Sequence, residues 1–442
     1  MLKSLKNALK TPAVRKKIWF TILLIIIYRI GCYITIPMVD VITLQSTMSS
    51  YTNSVIGLVN MISGGAFSRL SIFAMSITPY ITSSIVVQLL AMIIPSLEKL
   101  TKEGGEEGRK KVDRLTKLIS LALAFVEGLG VYFSYKSSGI FVDDGAMTGI
   151  VVVASLVAGT SILMWLGDKI TSKGIGNGIS MLIFAGIVSA IPNAITSIAN
   201  VVVTDDGFST KGLITAILMV LGILVLVVGV VFVQLAERRV PVQYSKKVVG
   251  RKMVGAQNTH IPIKPAMASV MPIIFASSFM TFPAMIIQLF VKDIENQSGF
   301  LRFLYDLSIA TYSSTSVNWG YTVANAAIYL LLIVGFTYFY TYATFNPAEV
   351  SSNIKQNGGF IPGIRAGKPT TDYLSSVLSK VTLFGGIFLA AIAIIPMLAR
   401  GSGLNTAFGG TSILIIVGVA IELGQQLQSQ LVMRHYKGFL EK

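Results

Sequence analysis

Residues 212–235 read GLITAILMVLGILVLVVGVVFVQL, a block without a charged side chain. About 20 consecutive apolar residues allow an α-helix to cross the hydrocarbon core of a bilayer. This block therefore predicts a transmembrane helix, and similar blocks lie on both sides of it. The predicted spans are residues 18–37, 72–94, 115–135, 148–167, 178–199, 212–235, 266–290, 321–344, 374–398 and 411–432.

The composition of the chain agrees with these spans. Of the 442 residues, 53% are hydrophobic and only 13% are charged, whereas soluble proteins carry about 25% charged residues. The apolar residues fall in long blocks rather than with the period of an amphipathic strand or helix. The predicted fold class is an all-α polytopic membrane protein with ten transmembrane helices.

One further apolar stretch, residues 54–70, is interrupted by polar side chains and by a pair of glycines. The interruptions argue against a full span and favour a re-entrant half-helix. Such a segment is stable at membrane depth only where protein or a water-filled cavity surrounds it. The interrupting residues include Asn60, Ser63, Gly64, Gly65 and Arg69.

The distribution of Lys and Arg predicts the orientation. With the N-terminus inside, three quarters of the 36 basic residues fall in cytoplasmic segments, as the positive-inside rule requires. Both termini are therefore expected in the cytoplasm. The net charge of +16 is concentrated on that face, where it serves as a topology signal and lipid contact or meets an anionic partner.

Two long loops, residues 237–264 and 346–372, are the least apolar parts of the chain between spans. In the first, cations alternate with apolar residues around residues 238–252, which favours a protruding hairpin. The second carries turn residues at 358–363 followed by Arg365. Protruding basic loops suit an acidic or phosphate-rich docking partner.

The predicted organisation is two halves of five helices with short basic tails. A weak repeat relates Ser76-x-x-Pro79-x-Ile81-x-x-Ser84 to Ser269-x-x-Pro272-x-Ile274-x-x-Ser277. Five helices per half would make the halves inverted repeats. The segments are a cytoplasmic tail at 1–17, an N-terminal half at 18–200, a C-terminal half at 201–433 and a cytoplasmic tail at 434–442.

The sequence lacks the residue sets of common enzyme sites. It has no Walker-type phosphate loop, and its two histidines, His260 and His435, form no metal or Ser/His/Asp set. An enzyme and a bound cofactor are therefore not expected. Ionisable residues within spans are few, chiefly Arg29, Glu127 and Glu422, which weighs against an ion-coupled transporter. Arg29 is expected to extend to the membrane interface.

Several collinear motifs together resemble the SecY/Sec61 α family of translocation pores. They extend over nearly the whole chain, and ten spans with both ends inside is also that family's topology. The motifs are SGGAFSRLSIFAMSITPYITSSIVVQ at 63–88, MWLGDKI at 164–170, GIGNGIS at 174–180, PIIFASS at 272–278, FNP at 345–347, GGFIPGIR at 358–365 and MRHYKG at 433–438.

The resemblance implies an hourglass pore between the two halves, with a waist of apolar side chains. It also implies a plug at residues 54–70 and a lateral gate between the halves, in which prolines would break helical hydrogen bonding. The implied pore ring is Ile81, Ile85, Ile183, Ile187, Ile274 and Ile415. The implied plug residues are Asn60, Ser63, Gly64, Gly65 and Arg69, and the implied gate residues are Pro79, Gln88 and Pro272.

The function that the resemblance implies is that of the central channel subunit of the Sec translocon in the bacterial plasma membrane. Such a subunit conducts unfolded secretory polypeptides and releases transmembrane segments into lipid. Docking of SecA or the ribosome is assigned to Arg238, Arg239, Arg251 and Arg365. The implied partners are SecE, SecG, the SecA ATPase, translating ribosomes through rRNA, signal sequences, nascent polypeptides and lipids, with SecDF and YidC as further options. The alternatives are a secondary transporter of small solutes and, more distantly, a lipid scramblase.

Overall fold

The structure, a computed structural model, is dominated by long α-helices. It describes residues 9–44, 60, 63–102, 104–136, 139–143, 145–204, 207–244, 247–249, 252–254, 258–267, 270–290, 299–309, 319–401 and 410–440. Apolar side chains pack between the helices, while other faces of the same helices expose large hydrophobic residues such as Leu218, Leu221, Val225 and Phe232. Exposed apolar faces of this kind are what a helix presents to lipid.

The first five predicted spans correspond to helices in the part of the chain that is described. The fifth of them is divided by a short break at residues 189–190. The helices are α1 (Pro12–Gly31), α2 (Thr78–Ile93), α3 (Pro95–Lys102), α4 (Gly105–Lys136), α5 (Ala146–Lys173), α6 (Gly178–Val188) and α7 (Ile191–Val202).

The second five predicted spans also correspond to helices, and the strands of the chain lie mainly between them. The helices are α8 (Thr210–Leu235), α9 (Met271–Phe290), α10 (Phe300–Ile309), α11 (Trp319–Thr344), α12 (Pro347–Gln356), α13 (Lys368–Gly401) and α14 (Gly410–Leu440). The strands are β1 (Val203–Thr204), β2 (Gly207–Phe208), β3 (Arg238–Tyr244), β4 (Lys247–Val249), β5 (Lys252–Val254), β6 (Asn258–Ile263) and β7 (Gly359–Phe360).

Among the described residues, seven helices are long and apolar enough to cross a membrane, and an eighth span is a bent pair. That pair is α2 with α3, which bend by 108° at their junction. The other two predicted spans fall on α1, whose 20 residues include four cations, and on α9, whose apolar part is shorter. The chain is thus an all-α polytopic membrane protein.

The start of the second span was predicted too early. Residues 72–77 form turns, and α2 begins at Thr78. The chain just before these turns pairs with the segment after α1: Ile72 N donates to Ile34 O at 3.0 Å, and Ile36 N donates to Leu70 O at 3.0 Å. For the same reason α1 ends at Gly31 rather than near residue 37.

Each of the two predicted halves contains a glycine whose Cα lies close to a backbone carbonyl, seven residues before a proline near the start of a helix. A Cβ at Gly159 of α5 would overlap the carbonyl oxygen of Ile72, and a Cβ at Gly385 of α13 would overlap that of Pro265. Ile72 lies seven residues before Pro79, and Pro265 lies seven residues before Pro272. The two contacts therefore occupy matching positions in the repeat seen in the sequence.

The two long loops meet in one small antiparallel sheet. Strand β3 lies in the centre, with β6 on one side and β7 of the second loop on the other. Val240, Val242 and Ile263 turn inward and pack against Ile354 and Leu374, so the sheet is seated on α12 and α13. This packing fixes the loops relative to each other.

Candidate pore, gate and docking surfaces

The six isoleucines predicted to form a pore ring lie in a single buried apolar cluster. They come from α2, α6, α9 and α14, and each is at most 8% exposed. Spacing of four residues places the α2 pair on one helix face and the α6 pair on another. The residues brought together are Ile81, Ile85, Ile183, Ile187, Ile274 and Ile415.

The segment predicted to be the plug is held against α1 and α6 by its backbone. Tyr28 donates its hydroxyl to Ser63 O at 3.3 Å, and Arg29 Nη1 donates to Gly64 O at 3.0 Å. Gly64 has a φ of +65°, and a Cβ there would lie 2.6 Å from Ser189 Oγ. Close packing and a left-handed backbone both require glycine at this position.

The remaining predicted plug residues organise the turn itself. Asn60 O accepts from Gly65 N at 2.8 Å, and Asn60 Oδ1 accepts from Ser68 N at 2.9 Å. The guanidinium of Arg69 lies 4.2 Å from the centre of the Tyr33 ring. Residues 63–70 are turns rather than the predicted half-helix, because these local side-chain bonds replace helical ones. Residues 54–59, 61 and 62 lie outside the described residues.

Arg29 has a different role from the one predicted. Its guanidinium donates to a carbonyl of the plug segment and also lies 5.7 Å from the Tyr33 ring centre, so it binds protein rather than extending to the interface. Sequence spacing gave no signal for this contact, since the partner carbonyl is 35 residues away in the chain.

The predicted gate residue Gln88 makes a contact between α2 and α11, which belong to different predicted halves. Tyr340 of α11 donates its hydroxyl to Gln88 Oε1 at 2.6 Å, while Gln88 Nε2 donates to Ser84 Oγ at 2.8 Å. The Tyr340 ring in turn packs on Phe275 of α9 with centroids 4.9 Å apart. Tyr340 was not among the predicted site residues, because 252 residues separate it from its partner.

Pro79 and Pro272 do not break helical hydrogen bonding, contrary to the prediction. Each is the second residue of its helix, α2 or α9. The first helical residues have no intrahelical acceptor for their N–H groups, so a proline removes nothing there and its fixed φ favours the start. The prolines set where the two helices begin.

Three of the four predicted docking arginines are exposed near the small sheet. Arg238 and Arg239 open β3, and Arg365 follows β7 after a short turn, with its carbonyl accepting from Thr370 Oγ1 at 2.8 Å. Arg239 Nε lies 2.6 Å from Glu237 Oε1, and this hydrogen bond holds the pKa of Glu237 below its usual value. Arg251 lies outside the described residues.

Solved structures with the same fold define the class. The chain superposes on a SecY structure with a TM-score of 0.67 and 19% identity, covering 94% of this chain and 92% of the other. That structure is described as showing that the plug domain stabilises the closed state of the translocation channel. The chain also superposes on Sec61 in the canine ribosome-channel complex, with a TM-score of 0.64 and 16% identity. This superposition covers 94% of this chain and 92% of the Sec61 chain. The fold is that of the protein-translocation channels.

Sequence comparison identifies the family. The protein-family model of the SecY family matches residues 71–424 of the chain. The chain is 42% identical to protein translocase subunit SecY of Streptomyces scabiei and 39% identical to that of Halalkalibacterium halodurans, with all of each chain covered. The chain belongs to the SecY family.

Proposed function

We propose that this chain is the central channel subunit of a bacterial Sec translocase. In this role it conducts unfolded secretory polypeptides across the plasma membrane and releases transmembrane segments laterally into lipid. The observation that carries the proposal is that one buried apolar cluster contains all six isoleucines, which come from four helices. Membership of the SecY family supports the same function and leaves the solute transporter without a supporting observation.

The isoleucine cluster is proposed as the seal of the closed pore. Branched alkyl groups offer an ion no replacement for its hydration shell, so a constriction of them is a barrier to ions. They also offer a passing polypeptide no hydrogen bond that would hold it. Both halves contribute, the N-terminal half through Ile81, Ile85, Ile183 and Ile187 and the C-terminal half through Ile274 and Ile415.

The segment around Ser63–Arg69 is proposed as the described part of the plug. In the described residues its Ser63 and Gly64 carbonyls accept hydrogen bonds from Tyr28 and Arg29 of α1, so displacement requires new partners for these two side chains. The gate is proposed to lie where α2 meets α9 and α11, with the Tyr340–Gln88 hydrogen bond closing it. Opening of this seam would expose the pore to lipid.

The sheet of β6, β3 and β7 is proposed as a docking platform for cytoplasmic partners. Arg238 and Arg239 lie in β3 and Arg365 follows β7 in the second loop, and the fork of a guanidinium matches phosphate or carboxylate groups. By family, the partners are SecA and ribosomal RNA at these arginines and the SecE and SecG subunits within the membrane. Signal sequences, nascent chains and lipids are the gate's partners, and SecDF and YidC are accessory ones.

The two-half organisation and the cytoplasmic location of both termini belong to the same proposal. The equivalent glycine contacts at Gly159 and Gly385 support the halves, and the bias of Lys and Arg supports the orientation. The chain itself is proposed to carry out no chemical reaction, and the energy for translocation would come from its partners.

Reconstitution tests the function. The chain is placed in liposomes with SecE, and SecA, ATP and a precursor with a signal sequence are added. Protection of the precursor from external protease, dependent on ATP and on the signal sequence, is expected. A lack of protection, with SecE bound and SecA active on a control channel, would contradict the channel function.

The seal is tested by a polar substitution in the ring. Ile183→Ser is expected to raise ion efflux from the liposomes at rest, because its hydroxyl can replace part of an ion's hydration shell. Ile170→Ser makes the same chemical change in the same apolar cluster but outside the proposed ring. Equal efflux from the two variants would show that the leak reflects general loosening of the cluster.

A further inference from the structure

Two arginines converge on one tyrosine ring just beyond the end of α1. The guanidinium carbon of Arg69 lies 4.2 Å from the centre of the Tyr33 ring, and that of Arg29 lies 5.7 Å from it. A cation is attracted to the face of an aromatic ring, but two cations at the same ring also repel each other. This arginine pair, Arg29 and Arg69 with Tyr33 beside them, therefore concentrates two positive charges.

No acidic side chain of the described residues offsets the charge of the arginine pair. Neither guanidinium lies within 4.0 Å of a carboxylate in that part of the chain. Arg29 makes one hydrogen bond there, to Gly64 O at 3.0 Å, while the Arg69 guanidinium makes none with the described residues. Residues 41–97 of the sequence contain neither Asp nor Glu, so the rest of the plug segment supplies no carboxylate. The pair therefore needs an anion from outside this segment.

The arginine pair lies at the end of a face of α1 that is exposed and apolar. Leu23, Ile26 and Ile30 are exposed along this face, as expected for side chains against lipid tails. From Pro12 to Arg29 the helix rises roughly 26 Å, which nearly spans a hydrocarbon core about 30 Å thick. With the N-terminus in the cytoplasm, as the bias of Lys and Arg indicates, the pair lies within reach of the headgroups of the outer leaflet.

The chemistry of the arginine pair favours a phosphate group. The planar fork of a guanidinium donates two parallel hydrogen bonds to phosphate oxygens, and two forks can bind one phosphate. An anionic phospholipid such as phosphatidylglycerol brings this phosphate without a cation of its own, whereas phosphatidylcholine brings a competing positive charge. The acyl chains of such a lipid would continue along the exposed face of α1.

We propose that Arg29 and Arg69 bind the phosphate of an anionic phospholipid in the outer leaflet. Arg29 belongs to α1, whereas Arg69 ends the segment proposed as the plug, so one phosphate links the two. The hydrogen bond from Arg29 to Gly64 O already joins them, and the lipid adds a second connection. The lipid therefore favours the resting position of the plug, and this consequence rests on the proposed channel function.

Photo-crosslinking tests the lipid site. Ile30, the exposed residue after Arg29, is replaced by photoreactive benzoylphenylalanine, and the chain with SecE is placed in vesicles of equal parts phosphatidylcholine and phosphatidylglycerol. Mass spectrometry of the adducts gives the ratio of the two lipids. We expect phosphatidylglycerol to be enriched several-fold over its bulk share. The same photoreactive residue at Leu23, on the same helix face about two turns away, should give the bulk ratio.

Substitution of Arg69 tests the role of the guanidinium. Arg69→Gln should bring the adduct ratio at position 30 close to the bulk ratio, because one charge-assisted contact to phosphate is lost. Arg69→Lys keeps the charge without the fork and should retain part of the enrichment. Arg302→Gln is the matched control, since its guanidinium lies 3.6 Å from Asp306 on α10, and it should leave the ratio unchanged. A bulk ratio at position 30, equal enrichment at positions 23 and 30, or an adduct with SecE in place of lipid would overturn the site.

Resting ion efflux tests the link between the lipid and the plug. Efflux should be several-fold lower from vesicles with phosphatidylglycerol than from phosphatidylcholine alone, and Arg69→Gln should remove this difference while Arg302→Gln keeps it. Equal efflux of the wild type in both lipids would overturn the link. Inorganic phosphate added to phosphatidylcholine vesicles should have no effect, and an equal reduction would identify free phosphate as the ligand instead. Neither measurement requires translocation, so a failure of the channel function in reconstitution is a separate result.

Discussion

Gly64 offers a test of the plug at the scale of one residue. A Cβ at Gly64 would overlap the guanidinium of Arg29 and would lie 2.6 Å from Ser189 Oγ and 3.0 Å from Gly186 Cα of α6, so Gly64→Ala disturbs both the Arg29 contact and the fit against α6. Loss of this fit is expected to raise the resting ion conductance of the channel several-fold. Ion efflux from liposomes that contain the variant measures it.

Gly65 provides the matched control for this substitution. It also has a positive φ, of +85°, but the nearest atom to its Cβ is Arg69 Nη1 at 3.6 Å. Gly65→Ala therefore carries the left-handed strain of about 1–2 kcal/mol without the steric conflict. If both variants leak equally, backbone strain rather than contact with α6 controls the plug.

Neighbours on one helix face follow from sequence spacing, whereas the contacts that Arg29 and Tyr340 make with distant segments do not. The pairs Ile81 with Ile85 and Ile183 with Ile187 follow from helical spacing together with the family resemblance, and they lie in the same cluster. Arg29 and Tyr340 were missed because their partners are a backbone carbonyl and an amide on other elements. No periodicity in a sequence reports such contacts.

At the scale of elements, the Tyr340 hydroxyl makes a polar contact across the seam between α2 and α11. Tyr340→Phe removes the hydroxyl that donates to Gln88 Oε1 at 2.6 Å, and a bond of this kind contributes about 0.5–1.5 kcal/mol. The closed state of the proposed gate should lose that much stability. Translocation of a precursor with a shortened apolar segment should therefore increase, as measured by protease protection.

Tyr338→Phe is the control for the gate substitution. Its hydroxyl donates to Ser379 O at 2.9 Å, which joins α11 to α13 within one half. The variant loses a comparable hydrogen bond without touching the seam. An equal gain in both variants would mean that loosening of α11, and not the bond to Gln88, changes the gate.

The docking sheet leads to a second prediction at this scale. Arg365→Glu is expected to abolish SecA-driven translocation while the chain still inserts in the membrane, because the guanidinium is exposed and the role proposed for it is docking. Lys355→Glu, exposed on α12 of the same loop, should translocate normally. Binding of SecA to membranes, measured with each variant, separates docking from later steps. Normal translocation by Arg365→Glu would contradict its role.

The positions of the elements were well predicted, but their ends were less so. Every predicted span falls on a helix, since a long apolar block has no other stable form in a bilayer. The start of α2 was placed too early because residues 72–77 are mostly apolar. Hydropathy alone does not distinguish apolar turns of this kind from the first turns of a transmembrane helix. Pro79 and Pro272 were interpreted as breaks within helices because the sequence does not show where each helix starts. The structure shows that each proline is the second residue of its helix.

On the scale of the whole molecule, the predicted halves depend on a five-residue repeat, and the glycine contacts extend that repeat into three dimensions. In each half a transmembrane helix, α5 or α13, crosses the chain seven residues before the proline that opens α2 or α9. Sequence comparison within the chain could not reveal this, because the contacting residues, Ile72 and Pro265, differ in type. Glycine is required only by the approach of the backbones.

Equivalence of the halves predicts equal responses to equal substitutions. Gly159→Ala and Gly385→Ala each place a Cβ against a backbone carbonyl that cannot rotate away, and overpacking of this kind costs about 1–3 kcal/mol. Gly222→Ala and Gly335→Ala are the controls, since nothing lies within 4 Å of a Cβ at either position and alanine favours a helix over glycine by up to about 1 kcal/mol. The midpoint temperature of thermal unfolding, measured on the purified chain in detergent, should therefore fall for the first pair of variants. It should stay level or rise for the second pair. A loss at Gly159 alone would mean that the contact at Gly385 is incidental and that the halves share a sequence repeat without a common packing.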